Sequence, residues 1–127
     1  MPRIIKSALI QMSLPKTEGE GTIEEIKEAM VQKHIPMIEE AGKQGVNILC
    51  FQEIFNTPYF CPGQDAAWYA SAETVPGPTT ERMAEYAKKY NMVIIVPVYE
   101  KEQAGVLYNT AAVIDAELYK MPACSFS

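Results

Sequence analysis

The chain has 127 residues, 48% of them hydrophobic and 21% charged, which is one domain's worth of ordinary globular composition and argues against a disordered chain. Its net charge of −5 is dispersed and its densest basic run is only Lys88-Lys89, so no basic footprint for nucleic acid is present. No apolar run approaches the roughly 18 residues needed to span a bilayer, and the N-terminus lacks a signal-type apolar region, so the reading is a cytoplasmic protein with no membrane partner.

Residues 4–12 are strand-like, and Ser13 to Gly21, with Pro15, Gly19 and Gly21, reads as a loop. Thr22 followed by Glu25 is a capping-box signature, and Ile23, Ile26, Met30, Met37, Ile38 and Ala41 recur at spacings that share one helical face. Pro36 removes a backbone donor inside that pattern, which predicts a kink near Ile35 or two helical pieces, ending around Gly42 to Gly45. The glutamates at 18, 20, 24, 25 and 28 read as a solvated end favoured by the helix dipole. Val46 to Phe51 is a second strand, too continuously apolar to keep one face wet. A proline-punctuated aromatic loop follows to Gly63, then a short helix over 65–73 and the stiff linker Val75-Pro76-Gly77-Pro78. Pro78 opens a helix through about Tyr90, with Met83, Tyr86, Ala87 and Tyr90 facing inward. Met92 to Tyr99 is a third strand in which Pro97 suggests a bulge or a sheet edge. Glu100 to Gly105 turns the chain into a fourth strand, Val106 to Asp115. The order is that of an α/β fold with a parallel start and a terminal hairpin, without internal repeats.

Glu53 is the leading candidate for chemistry. It stands where the second strand ends, and in open α/β sheets ligands gather beyond the carboxyl ends of strands. Crowding by Phe51, Ile54, Phe55, Tyr59 and Phe60 would desolvate the carboxylate and fit it to act as a general base; the plainer alternative is a solvated cap or half of an ion pair. Cys50, in the apolar run, reads as an inert core thiol, while Cys61, on the loop, is a candidate nucleophile without a nearby cation in sequence to activate it. Three cysteines with no C-x-x-C spacing and a single histidine, His34, indicate neither a disulfide framework nor a metal site. His34 reads as a partly buried packing residue, and Trp68 and Tyr69 as core or pocket rim. Asn109, inside an apolar segment, must find partners if buried, either within the protein or on a substrate.

Taken together, Ala8-Leu9-Ile10-Gln11, Asn47-Ile48-Leu49-Cys50-Phe51-Gln52-Glu53, Pro76-Gly77-Pro78-Thr79 and Tyr108-Asn109-Thr110-Ala111-Ala112-Val113-Ile114-Asp115 resemble, in order and spacing, the N-terminal part of the nitrilase superfamily of carbon-nitrogen hydrolases. The run Phe55 to Pro62 and Lys33-His34-Ile35-Pro36 resemble the branch of β-ureidopropionase and related N-carbamoyl amide hydrolases. The resemblance implies an α-β-β-α sandwich and a Glu-Lys-Cys triad acting on a small N-carbamoyl or amide substrate, with no cofactor and no metal, in a homo-oligomer. Glu53 matches the family's glutamate, and Phe55, Tyr59, Phe60 and Asn109 are the substrate-pocket candidates it implies. The match covers residues 3 to about 116, a single partial domain, and the tail 117–127 diverges. In that tail Lys120-Met121-Pro122 is a contracted echo of the family's lysine run, which makes Lys120 the candidate for that position, whereas Cys124 lacks the family's context. Three readings follow: the N-terminal portion of such a hydrolase, a non-catalytic half-sandwich that associates with other chains, or a thiol enzyme built on Cys61.

Overall fold

The structure, a computed structural model, describes residues 2–63, 65–117 and 124–126. Strand β1 (Ser7–Ile10) leads into helix α1 (Ile23–Lys43) and strand β2 (Ile48–Phe51). Two short 3-10 segments, Cys61–Gly63 and Ala66–Ser71, precede helix α2 (Pro78–Tyr90), and strands β3 (Val93–Gln103), β4 (Val106–Ile114) and β5 (Cys124–Phe126) follow. The sheet order is β1-β2-β3-β4-β5, with β1, β2 and β3 parallel and β3-β4 and β4-β5 antiparallel.

Helix α1 begins where the capping box predicts. Thr22 Oγ1 accepts from the Glu25 N–H at 3.2 Å, and Glu25 Oε2 accepts from the Thr22 N–H at 2.8 Å. The expected break at Pro36 does not occur, and α1 runs as one helix of 21 residues. The carbonyl that Pro36 leaves without a donor belongs to Gln32, and both residues lie on the exposed side, where a missing helical bond costs least. His34 and Ile38, on the buried side, hold the two halves in line. Met37 is a second departure, being 46% exposed. Its edge of the apolar stripe is covered only beside the N-terminal half, where Ile26 packs with Phe60 and Trp68.

Helix α2 matches its expected bounds. Pro78 sits in its first turn, Thr80 Oγ1 accepts from the Gly77 N–H at 2.8 Å, and Asn91 takes the left-handed conformation (φ 48°) that ends it. Gly77 is required by space, since a Cβ there would lie 2.1 Å from the Thr74 carbonyl oxygen. The third strand is longer than the sequence suggests. The polar stretch Glu100 to Gln103 continues β3 as a two-stranded ribbon with β4, with its register shift between Lys101 and Gln103 rather than at Pro97, and the chain reverses at Gly105 (φ 78°).

Because β1, β2 and β3 are laid down in one direction, right-handed crossovers place α1 and α2 on the same face of the sheet. Leu49, Phe51, Ile94, Val96, Val98, Ala112 and Ile114 point to that face and form the main core with Val31, Ile38, Ala41, Met83 and Ala87 of the helices. The alternate residues Leu9, Ile48, Cys50, Val93, Ile95, Pro97, Ala111 and Val113 form the opposite face, which neither helix covers. Leu9 is 83% exposed and Ile48 37%.

Candidate functional site

Glu53 follows β2 by two residues, at the carboxyl end of the parallel strands. The end of β2 is tied to the chain leaving β1, because Gln52 Oε1 accepts from the Met12 N–H. The next residue, Ile54, has φ 44°, a left-handed conformation that costs a β-branched side chain roughly 1–3 kcal/mol. Contacts on its C-terminal side hold it there. The Phe55 N–H donates to the Pro97 carbonyl at 3.1 Å, the Thr57 N–H donates to Ile54 O at 3.2 Å, and Phe55 is fully buried against Phe51 and His34, with ring centroids 4.7 and 5.0 Å away.

This reversal sends Phe55 inward and Glu53 outward. The aromatic crowding expected around Glu53 is therefore not formed: Phe51, Phe55 and Phe60 turn into the core, Tyr59 is 71% exposed, and Glu53 itself is exposed. Its partner is Asn109, whose Nδ2 donates to Glu53 Oε1 at 2.6 Å across 56 positions of sequence. Asn109, on β4, pairs with Tyr99 of β3 and points to the face the helices leave open. The Glu53 carboxylate thus reaches across β3 to the open face, beyond the ends of β1 and β2 and beside the middle of β4.

Of the four pocket candidates, Asn109 reaches Glu53 and Tyr59 is exposed on the same loop. Phe55 and Phe60 are corrected to core residues. Phe55 supports the loop from beneath, and Phe60 stacks on Trp68 at 5.7 Å and packs on Tyr99 at 5.3 Å, so neither presents a face to a ligand. Trp68 is buried with them while Tyr69 is 58% exposed. Cys61 is exposed in its 3-10 segment, and no hydrogen bond among the described residues joins it to a base. Cys50 is half-buried on the open face, and burial pushes its thiol up, away from the reactive thiolate. His34 is fully rather than partly buried. Its Nδ1–H donates to the Met30 carbonyl at 2.7 Å, its Nε2 has no partner, and burial holds its pKa below the usual 6.5. Among the described residues no group of three or more His, Cys, Asp or Glu side chains is arranged to hold a metal ion.

A cleft of about 290 Å³ lies on the helical side, lined by residues that include Lys27, Glu28, Glu73, Thr79 and Arg82 but not Glu53. Four of its five charged residues form two pairs, and the fifth is Glu24. Lys27 Nζ lies 2.7 Å from Glu73, and Arg82 lies 2.8 Å from Glu28, whose carboxyl this hydrogen bond holds below the usual range. The Glu73 carboxylate also accepts from the Thr79 N–H and hydroxyl, so it braces α1, the start of α2 and the edge of β3, which Glu73 bridges at Glu100.

A sequence description of the carbon-nitrogen hydrolases matches residues 6–119. The chain belongs to the carbon-nitrogen hydrolase family. It is 39% identical over 117 residues to a β-ureidopropionase of Arabidopsis thaliana, covering 89% of this chain and 28% of that protein. It is 38% identical over 82 residues to an N-carbamoylputrescine amidase of Solanum lycopersicum, covering 64% of this chain and 27% of that protein. The chain thus spans less than a third of the length of either relative. In three dimensions it superposes on Saccharomyces cerevisiae Nit3, a member of the nitrilase superfamily, with a TM-score of 0.70 at 20% identity over 95% of this chain and 43% of that one. The sheet with its single helical layer is the N-terminal part of the nitrilase-type α-β-β-α sandwich.

Lys120, the sequence candidate for a lysine of the hydrolase site, lies outside the described residues, and Cys124 is present as a backbone position on β5, opposite Ala111. Sequence reasoning missed the pairing of Glu53 with Asn109, the Gln52 tie and the reversal at Ile54. Only the polar Asn109 in an apolar strand gave a signal, and it named no partner.

Proposed function

We propose that this chain supplies the base-bearing portion of a hydrolase that cleaves a non-peptide carbon-nitrogen bond in an N-carbamoyl or related amide, with N-carbamoyl-β-alanine as the first substrate to test. The observation that carries the reading is the Glu53 carboxylate, exposed beyond the end of β2 at the open face and anchored through one oxygen by Asn109. Family membership and the similarity to a β-ureidopropionase and an N-carbamoylputrescine amidase support the substrate class.

In this mechanism Glu53 takes the proton of a cysteine thiol as its sulfur attacks the carbamoyl carbon, and a lysine steadies the oxyanion of the tetrahedral adduct. Glu53 then returns the proton to the departing nitrogen, and as a base again draws a proton from the water that releases the acyl group. Lys120 is the chain's candidate for the lysine. Tyr59, exposed on the loop after Glu53, is placed at the rim. A cytoplasmic homo-oligomer without metal or cofactor completes the proposal.

A second reading is favoured by one feature, the uncovered apolar sheet face with Leu9 83% exposed: the chain is catalytically silent and acts by associating through that face. The test is ammonia release from N-carbamoyl-β-alanine by the protein purified from its native source, beside its Glu53→Gln variant. Turnover that Glu53→Gln abolishes supports the hydrolase and excludes the silent reading. Turnover that survives Glu53→Gln overturns the role of Glu53. No turnover on N-carbamoyl or amide substrates, with concentration-dependent association by sizing, overturns the hydrolase in favour of the second reading.

A further inference from the structure

We infer that Asn109 is a positioning residue that fixes which oxygen of Glu53 exchanges protons, and not a contact for substrate. The inference rests on the reading of Glu53 as the base. An ionised carboxylate only accepts hydrogen bonds, so the amide edge that faces it at 2.6 Å is the NH2 group, and the orientation of the Asn109 side chain follows from chemistry. That bond engages Oε1. Among the described residues no other side chain donates to Glu53, so Oε2 is the oxygen left to take a proton.

The two ends of this contact differ in rigidity. Glu53 is an exposed side chain on a loop, with several rotatable bonds and no second anchor among the described residues. Asn109 is half-buried in the middle of a nine-residue strand, with its backbone paired to Tyr99 on β3 on one side and to β5 on the other. The strand is therefore the fixed point, and the hydrogen bond transfers its rigidity to the carboxylate. An amide suits the task because it neither gains nor loses a proton near neutral pH. A lysine or histidine in its place would orient the carboxylate and also compete for the proton in transfer. One of the two Nδ2 hydrogens is engaged by Glu53, and the kcat and KM of Asn109 variants separate this positioning role from a substrate contact through the other.

Two measurements test this. In the 127-residue chain, ¹H-¹⁵N spectra should show one Asn109 side-chain proton shifted downfield, and Glu53→Ala, which leaves Asn109 in place, should return it to the position of a free amide. No change on Glu53→Ala overturns the inference. In the native protein, Asn109→Ala and Asn109→Asp should each lower kcat for N-carbamoyl-β-alanine about 10- to 100-fold with KM within about threefold of the parent. A raised KM with kcat preserved would assign Asn109 to substrate binding and overturn it. Loss of turnover in Glu53→Gln beside parental turnover in Asn109→Ala sinks this inference alone, whereas full turnover in Glu53→Gln sinks the base assignment beneath it.

Discussion

His34 makes stability depend on pH in a way that one substitution removes. The ring is fully buried, with Phe51 and Phe55 edge-on at 5.4 and 5.0 Å. Burial lowers its pKa from 6.5, the Met30 carbonyl partly opposes the shift by favouring the charged ring, and the nearby Lys33 adds to the lowering. The unfolded chain therefore binds the proton first. Below pH 6.5 the unfolded state is protonated while the folded state stays neutral, so stability falls as pH falls until the folded value is passed. Across that window the slope is at most about 1.4 kcal/mol per pH unit, and above it the contribution is fully present. His34→Leu fills a similar volume, gives up one hydrogen bond to a carbonyl within its own helix, and removes the unpartnered Nε2. At pH 8 it should lie within about 1 kcal/mol of the parent, because the lost hydrogen bond and the relieved orphan atom nearly offset each other. Urea unfolding at pH 8, 7, 6 and 5.5 measures both chains, and carboxylate titrations common to the two cancel in the difference. The parent should lose more than His34→Leu between pH 7 and 5.5, by up to about 1 kcal/mol. Parallel pH profiles would show that His34 is not held neutral by its surroundings and refute the reasoning.

Other parts of the structure give equally definite expectations. Phe55→Ala, at the fully buried ring beneath the Glu53 loop, should cost about 3–5 kcal/mol in urea unfolding, and a loss under about 1 kcal/mol would mean that the loop is not plugged into the core there. Lys27→Met leaves Glu73, whose side chain is 10% exposed, without its cation and should cost about 3 kcal/mol, part of which Lys27→Met/Glu73→Gln recovers. A loss in the double variant equal to the sum of the Lys27→Met and Glu73→Gln losses would show that the two charges do not interact. Leu9→Lys on the open face should change the stability of the 127-residue chain by less than about 0.5 kcal/mol while reducing any concentration-dependent association in sedimentation. A large destabilisation would show that Leu9 is covered within the chain.

Features written in adjacent residues were legible in the sequence. The Thr22-Glu25 pair placed the start of α1, Gly77-Pro78 placed that of α2, and the apolar runs before Phe51 and Tyr99 placed two central strands, because caps and periodicity act over three or four positions. The misreadings share a cause in what surrounds a segment. Pro36 passes through α1 because its orphaned carbonyl faces water, and Met37 stays exposed because Phe60 and Trp68 cover only the other half of that side. Glu100 to Gln103 looked like a turn because its four residues are all polar, yet cross-strand pairing to Val106, Leu107 and Tyr108 of β4 keeps it extended. At the site, the position of Glu53 at a strand end was readable, but its surroundings were not. Whether Phe55 or Glu53 turns inward depends on the left-handed Ile54, and the Asn109 anchor arrives 56 positions later, from a strand whose place in the sheet no local pattern reports.

The decisive measurement is the kcat for ammonia release from N-carbamoyl-β-alanine by the native protein and its Glu53→Gln variant, which keeps the shape of the side chain and removes its capacity to take a proton. A carboxylate acting as general base predicts a fall of about 10²- to 10⁴-fold with substrate binding retained. Turnover within a few-fold of the parent would contradict the assignment of Glu53 as the base.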